Sequence, residues 1–166
     1  MTSSVLVVGV GNPVDPADRA GILVAEAVAR VAPDGVDVTT VTDPARLVDM
    51  GADHDALVVI DAATRPADAT DDVLVLSPAD LPTGPASRSL GTHGLGVRDA
   101  LALGSALGHV PTRTHVVALL MTTPDRQTVM APTDDALAAA IATVRGLLDD
   151  LVVTQPAVVS RPTPRG

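Results

Sequence analysis

The chain has 166 residues, a length that suits one domain with a self-sufficient core, and a formal charge of −9 from eleven arginines against twenty acidic residues. Cys, Phe, Tyr, Trp and Lys are absent, which excludes thiol nucleophiles, disulfides, thiolate metal sites, lysine Schiff bases and aromatic base-stacking platforms. The cations are scattered and no run approaches the ~20 apolar residues of a membrane span, so the expectation is a cytoplasmic protein that meets neither nucleic acid nor membrane.

Val5–Val10 is a run of branched aliphatic residues and glycine, the pattern of a strand buried on both faces of a parallel sheet. A helix is expected over Asp18–Ala32, with Ile22, Ala25, Val28 and Ala29 on one stripe and Pro33-Asp34-Gly35 as its stop. Val36–Val41 alternates as a half-buried strand, Pro44–Met50 is a short helix, and Ala56–Ile60 is a second fully apolar strand stopping at Asp61. A polar loop over Thr64–Asp72 precedes Val73–Leu76, a short edge strand ended by Ser77-Pro78. The glycine-rich Ser87–Gly96 leads into a helix over Leu95–Leu107 that stops at Gly108. Val116–Leu120 is another buried strand, and Asp134–Leu151 is a periodic helix capped by Thr133 or Asp134. Residues 1–152 therefore read as one α/β domain and 153–166 as a proline-rich, mobile tail.

Alternation of strands and helices in this order predicts a three-layer α/β/α sandwich around a mostly parallel sheet. In such sheets, sites form beyond the carboxyl ends of strands where the strand order reverses. Gly9 and Gly11 after the first strand invite a dinucleotide reading, but Val14 stands where that fingerprint needs a third glycine. Asp18, just before the first helix, suits either an N-cap or a ligand, and Asp61 lies at the rim where sites are built. His93 is the histidine of the glycine-rich connection, whereas His54, His109 and His115 fall in ordinary polar connections. If the fold brings them to one edge, Asp18, Asp61 and His93 make an oxygen, oxygen, nitrogen ligand set for a divalent transition metal.

Val5–Val10 continued through Gly11, Asn12 and Pro13 to Asp18 and Gly21 resembles the opening of the hydrogenase maturation endopeptidases, which trim the C-terminal peptide from the nickel hydrogenase large subunit. Val58–Ala62 resembles that family's second acidic strand end, Ser89–Leu107 its histidine loop and helix, and the likeness runs from Val5 to Leu151. The resemblance implies a three-layer sandwich around a mixed five-stranded sheet, with Asp18, Asp61 and His93 as both metal ligands and catalytic residues. It further implies that nickel arrives inside the large-subunit precursor, as part of the substrate, and is not a resident cofactor. Two versions of the chemical step stay open: the metal activates the carbonyl or the water, or an aspartate serves as general base.

One departure from the family pattern is Ala17-Asp18-Arg19, where an acidic pair followed by glycine is usual. Arg19 is expected to favour ionised Asp18. The same departure raises an alternative, a relative that binds the nickel precursor as a chaperone without cutting it. A second rival, the peptidyl-tRNA hydrolases, shares the Gly-Asn-Pro opening but expects a histidine shortly after it, where this chain has Arg19, Ala20 and Gly21.

Overall fold

The computed structural model describes residues 4–82, 95–122 and 131–153. Five strands, β1 (Val5–Val10), β2 (Val36–Val41), β3 (Ala56–Thr64), β4 (Val73–Leu76) and β5 (Arg113–Met121), form one sheet in the order β2-β1-β3-β5-β4. All neighbours are parallel except β4, which runs antiparallel to β5 at one edge. Four α-helices, α1 (Ala20–Ala29), α2 (Leu47–Met50), α3 (Val97–Ala106) and α4 (Asp134–Val153), cover its two faces. No helix among the described residues is long and apolar enough to cross a membrane.

Strand alternation divides the core. Val5 and Val7 of β1 and Val58 and Ile60 of β3 pack with α1 and α4, while Leu6 and Val8 and then Leu57 and Val59 pack with α2 and α3. The central strands are apolar on both faces because both faces are covered. With no aromatic residue in the chain, the layers are filled by aliphatic side chains together with the Met121 thioether.

Several boundaries differ from those expected, each for a local reason. The helix expected from Asp18 begins at Ala20, because the carbonyl of Asp15 accepts from the amides of both Asp18 (3.1 Å) and Arg19 (3.0 Å) and closes a turn there first. It ends at Ala29, which is exposed, and Gly35 then adopts φ 87°, the left-handed region that glycine alone enters freely, as the chain turns into β2. The segment expected as one short helix is a 3₁₀ turn, Pro44–Arg46, capped by the Asp43 carboxylate, and then α2. β3 does not stop at Asp61: β5, longer than the apolar run Val116–Leu120, pairs with it as far as Thr64 opposite Met121. Thr133 caps α4, its Oγ1 accepting from the Ala136 amide, and that helix runs through Val153. The remainder of the expected tail, 154–166, lies outside the described residues.

Glycine sets how closely α1 sits on the sheet. A Cβ on Gly21 would lie 2.4 Å from the carbonyl oxygens of both Val10 and Ile60, and one on Gly9 would lie 2.4 Å from the Gly21 oxygen and 2.6 Å from Ala25 Cβ. The first turn of α1 therefore rests directly on the ends of β1 and β3. Gly21→Ala is expected to destabilise the protein by about 2–4 kcal/mol in denaturant unfolding, because both obstacles are backbone. Gly146→Ala, at an exposed position of α4 with open space around it, is expected to add about 0.5–1 kcal/mol in the same measurement.

Candidate active site

β1 is hydrogen-bonded to β2 on one side and to β3 on the other, so the connections leaving β1 and β3 diverge at their carboxyl ends. This is the point where the strand order reverses, and Asp18 and Asp61 meet there. Asp61 lies one residue past the end of the β1–β3 pairing, which closes with Gly9 opposite Ile60, while its other side stays paired with Ala118 of β5. By strand alternation it follows Leu57 and Val59 toward the α2–α3 side. Asp18 comes from the connection between β1 and α1.

That connection is built from two consecutive turns closed by side chains. Asn12 Oδ1 accepts from the Val14 amide at 3.1 Å, and Asp15 Oδ1 accepts from the Ala17 amide at 3.0 Å, the turn-forming use of Asn and Asp. The Asn12 amide in turn donates to the Asp18 carbonyl at 3.2 Å. A Cβ on Gly11 would come within 2.0 Å of that same carbonyl, so the loop closes upon itself only with glycine there. Asp18 is thus held from both sides. The alternative role as helix cap falls away: the N-cap of α1 is Arg19, and no side chain caps it.

Asp18 and Asp61 are 5% and 7% exposed, the only carboxylates buried among the described residues. Burial is the first cause that pushes the Asp61 carboxyl up, the neighbouring charge of Asp18 is the second, and together they outweigh the Ala62 amide that donates to its Oδ1 at 2.9 Å. The result is about 8, so Asp61 holds a proton at neutral pH. Asp18 is also raised, first by burial and then by Asp15, against a lowering hydrogen bond from the Asn12 backbone. The expected influence of Arg19 is corrected here. Its side chain is exposed, forms no ion pair among the described residues, and does not draw the Asp18 carboxyl down.

His93, the third residue of the expected ligand set, lies outside the described residues; the description resumes at Leu95, ahead of α3 on the face toward which Asp61 points. Among the described residues no group of three His, Asp or Glu side chains is gathered closely enough to hold an ion. His54 and His109 lie at the opposite, amino edge of the sheet, with Nε2 of His54 3.3 Å from Asp37 and Nδ1 of His109 2.7 Å from Asp49. His115 is on β5 opposite Val58. Sequence analysis assigns Asn12 and Asp15 no role at the site, although Asn12 between Gly11 and Pro13 and Asp15 ahead of Pro16 are turn signals that mark them as its framework. Two buried carboxylates sharing a proton can exchange it for a cation, or supply an acid and a base to one reaction.

No protein-family model and no curated protein sequence matches the chain. Solved structures do. The hydrogenase maturating endopeptidase HybD from E. coli is 21% identical, with a TM-score of 0.64 over 89% of this chain and 93% of that one. An endopeptidase from Escherichia coli is 22% identical, with a TM-score of 0.69 over the same shares. The NiFe hydrogenase maturation protease HycI from Thermococcus kodakarensis is 18% identical, with a TM-score of 0.62 over 90% of this chain and 93% of that one. These likenesses span nearly whole chains and establish the fold as the three-layer sandwich with a mixed five-stranded sheet.

The raised Asp61 carboxyl links stability to pH. The folded chain keeps a proton that the unfolded chain, ionising near 3.8, has released, so stability falls as pH climbs from about 4 to about 8. Asp61→Asn retains the Oδ1 acceptor and cannot ionise. In metal-free buffer its melting temperature is expected to vary less with pH than that of the unaltered chain, and at pH 9 it is expected to be more stable by an amount on the order of a few kcal/mol. Parallel pH profiles for the two proteins would contradict a protonated Asp61.

Proposed function

We propose that this chain is an endopeptidase that removes the C-terminal peptide of a nickel hydrogenase large-subunit precursor after the metal has been inserted. The observation that carries this reading is the buried Asp18–Asp61 pair at the switch point of the sheet, in a fold shared with proteases of hydrogenase maturation. A fold alone does not assign an activity. The pair adds chemistry suited to that activity, which a merely structural carboxylate does not need.

Peptide hydrolysis adds water across a C–N bond. A base must take a proton from the water as its oxygen attacks the carbonyl carbon, and an acid must give one to the leaving nitrogen. In such a pair Asp61, which holds a proton, supplies the acid, and the Asp18 carboxyl supplies the base once it has given up its own proton. The same oxygens, joined by the imidazole of His93, form a donor set that suits the nickel of the precursor. A loaded precursor is thereby held with its scissile bond at the pair, and an empty one is not. The loss of one carboxylate in Ala17-Asp18-Arg19 leaves the pair intact, since Ala17 is packed inside and the Arg19 side chain is exposed.

The test is to incubate the chain with nickel-loaded and nickel-free precursor and measure the mass of the precursor's C-terminus. Shortening of the loaded precursor alone is expected. Asp61→Asn and His93→Ala are each expected to lower the rate at least about 100-fold while the protein stays folded. Nickel-dependent binding with no change of mass would assign the chain to the precursor-binding chaperones instead, and full activity in either variant would remove that residue from the site.

A further inference from the structure

Val14 is 84% exposed, more than any other large aliphatic residue among those described. A solitary exposed valine on a helix or an edge strand is the ordinary remainder of packing, as with Val31 after α1 or Val75 on β4. Val14 is placed differently. It lies in the turn between β1 and α1, where Gly11, Asn12, Pro13, Asp15 and Pro16 supply every turn-forming requirement, and a β-branched side chain contributes nothing to turn geometry or to the core.

Its backbone is held firmly all the same. Prolines on both sides, at 13 and 16, restrict the local dihedrals, its amide donates to Asn12 Oδ1, and the Asp15 amide donates to the Asn12 carbonyl at 3.2 Å. The same turns continue into Asp18, whose own amide donates to the Asp15 carbonyl. The chain has therefore set an apolar side chain in water on a firmly held backbone, at no gain to its own stability, on the framework that positions one of the two buried carboxylates. A group held rigid before it meets a ligand binds without the entropic cost of being ordered.

We propose that Val14 is a substrate contact: it packs against an aliphatic side chain of the peptide presented to the Asp18–Asp61 pair and so sets which sequence near the scissile bond is accepted. This rests on the endopeptidase reading above. The partner surface is apolar and small, because Val14 offers one branched side chain and the residue that follows it, Asp15, is acidic. The contact contributes to binding and leaves the bond-breaking step to the carboxylates.

The experiment is steady-state cleavage of nickel-loaded large-subunit precursor by the unaltered chain and by Val14→Ser, Val14→Leu and Val31→Ser. Serine keeps the amide that bonds Asn12, and the site is exposed, so an unchanged melting temperature is expected. Val14→Ser should raise KM about tenfold with kcat within about twofold, Val14→Leu should hold KM near the unaltered value, and Val31→Ser should change neither. Cleavage with the same KM in Val14→Ser overturns the proposal and leaves the endopeptidase reading standing. A Val14→Ser variant of unaltered KM that turns a dimer into a monomer in sedimentation would overturn it in favour of self-association. Failure of the unaltered chain to cut the precursor overturns both.

Discussion

The close seat of α1 on the carboxyl ends of β1 and β3 is the constraint from which the candidate site follows. Gly21 meets two backbone carbonyls where any side chain would collide, and Gly9 meets the helix from below. Had either position carried a methyl group, the helix would stand off the sheet and the loop before it would lift with it. Asp18 would then leave Asp61, and water would enter between them. The proximity of the two carboxylates is therefore a property of glycine packing as much as of the carboxylates themselves.

Such a pair works against folding. Two acids removed from water can remain together only by keeping a proton, and the backbone amides of Ala62 and Asn12 return part of the lost solvation. The fold tolerates this because its two aliphatic cores and doubly covered central strands carry stability elsewhere. The contrast with the amino edge is instructive. There the carboxylates of Asp37 and Asp49 pair with histidines while remaining largely in water. One edge of the sheet is built to be quiet, and the other holds a group whose charge state a cation or a substrate would change.

The loop that carries Asp18 combines tight turns with an exposed aliphatic side chain, and the two belong to one design. Turns closed by Asn12 and Asp15 leave little freedom to be lost on binding, and they tie the exposed residue to the carboxylate in a fixed relation. Rigid loops of this kind let a site be selective without moving.

Much of the architecture was legible in the order of residues. Apolar runs mark β1 and the start of β3 as interior strands, the alternation of Val36–Val41 marks a half-buried one, and Thr133 announces the start of α4, because each signal is local and each element buries the face that its own pattern defines. Asp61 stood out for the same reason, as a charge at the end of an apolar run, and Asp18 as an acid just ahead of a helix. What the residue order left open was decided by partners distant in the chain. β3 runs past Asp61 because β5 is long enough to pair with it, and Asp18 is no helix cap because Asp15 closes a turn first. The Asp61 proton follows first from burial and then from the second carboxylate that a loop 43 positions earlier in the chain brings beside it, effects of desolvation and Coulomb repulsion that depend on distance in space and have no trace in sequence spacing.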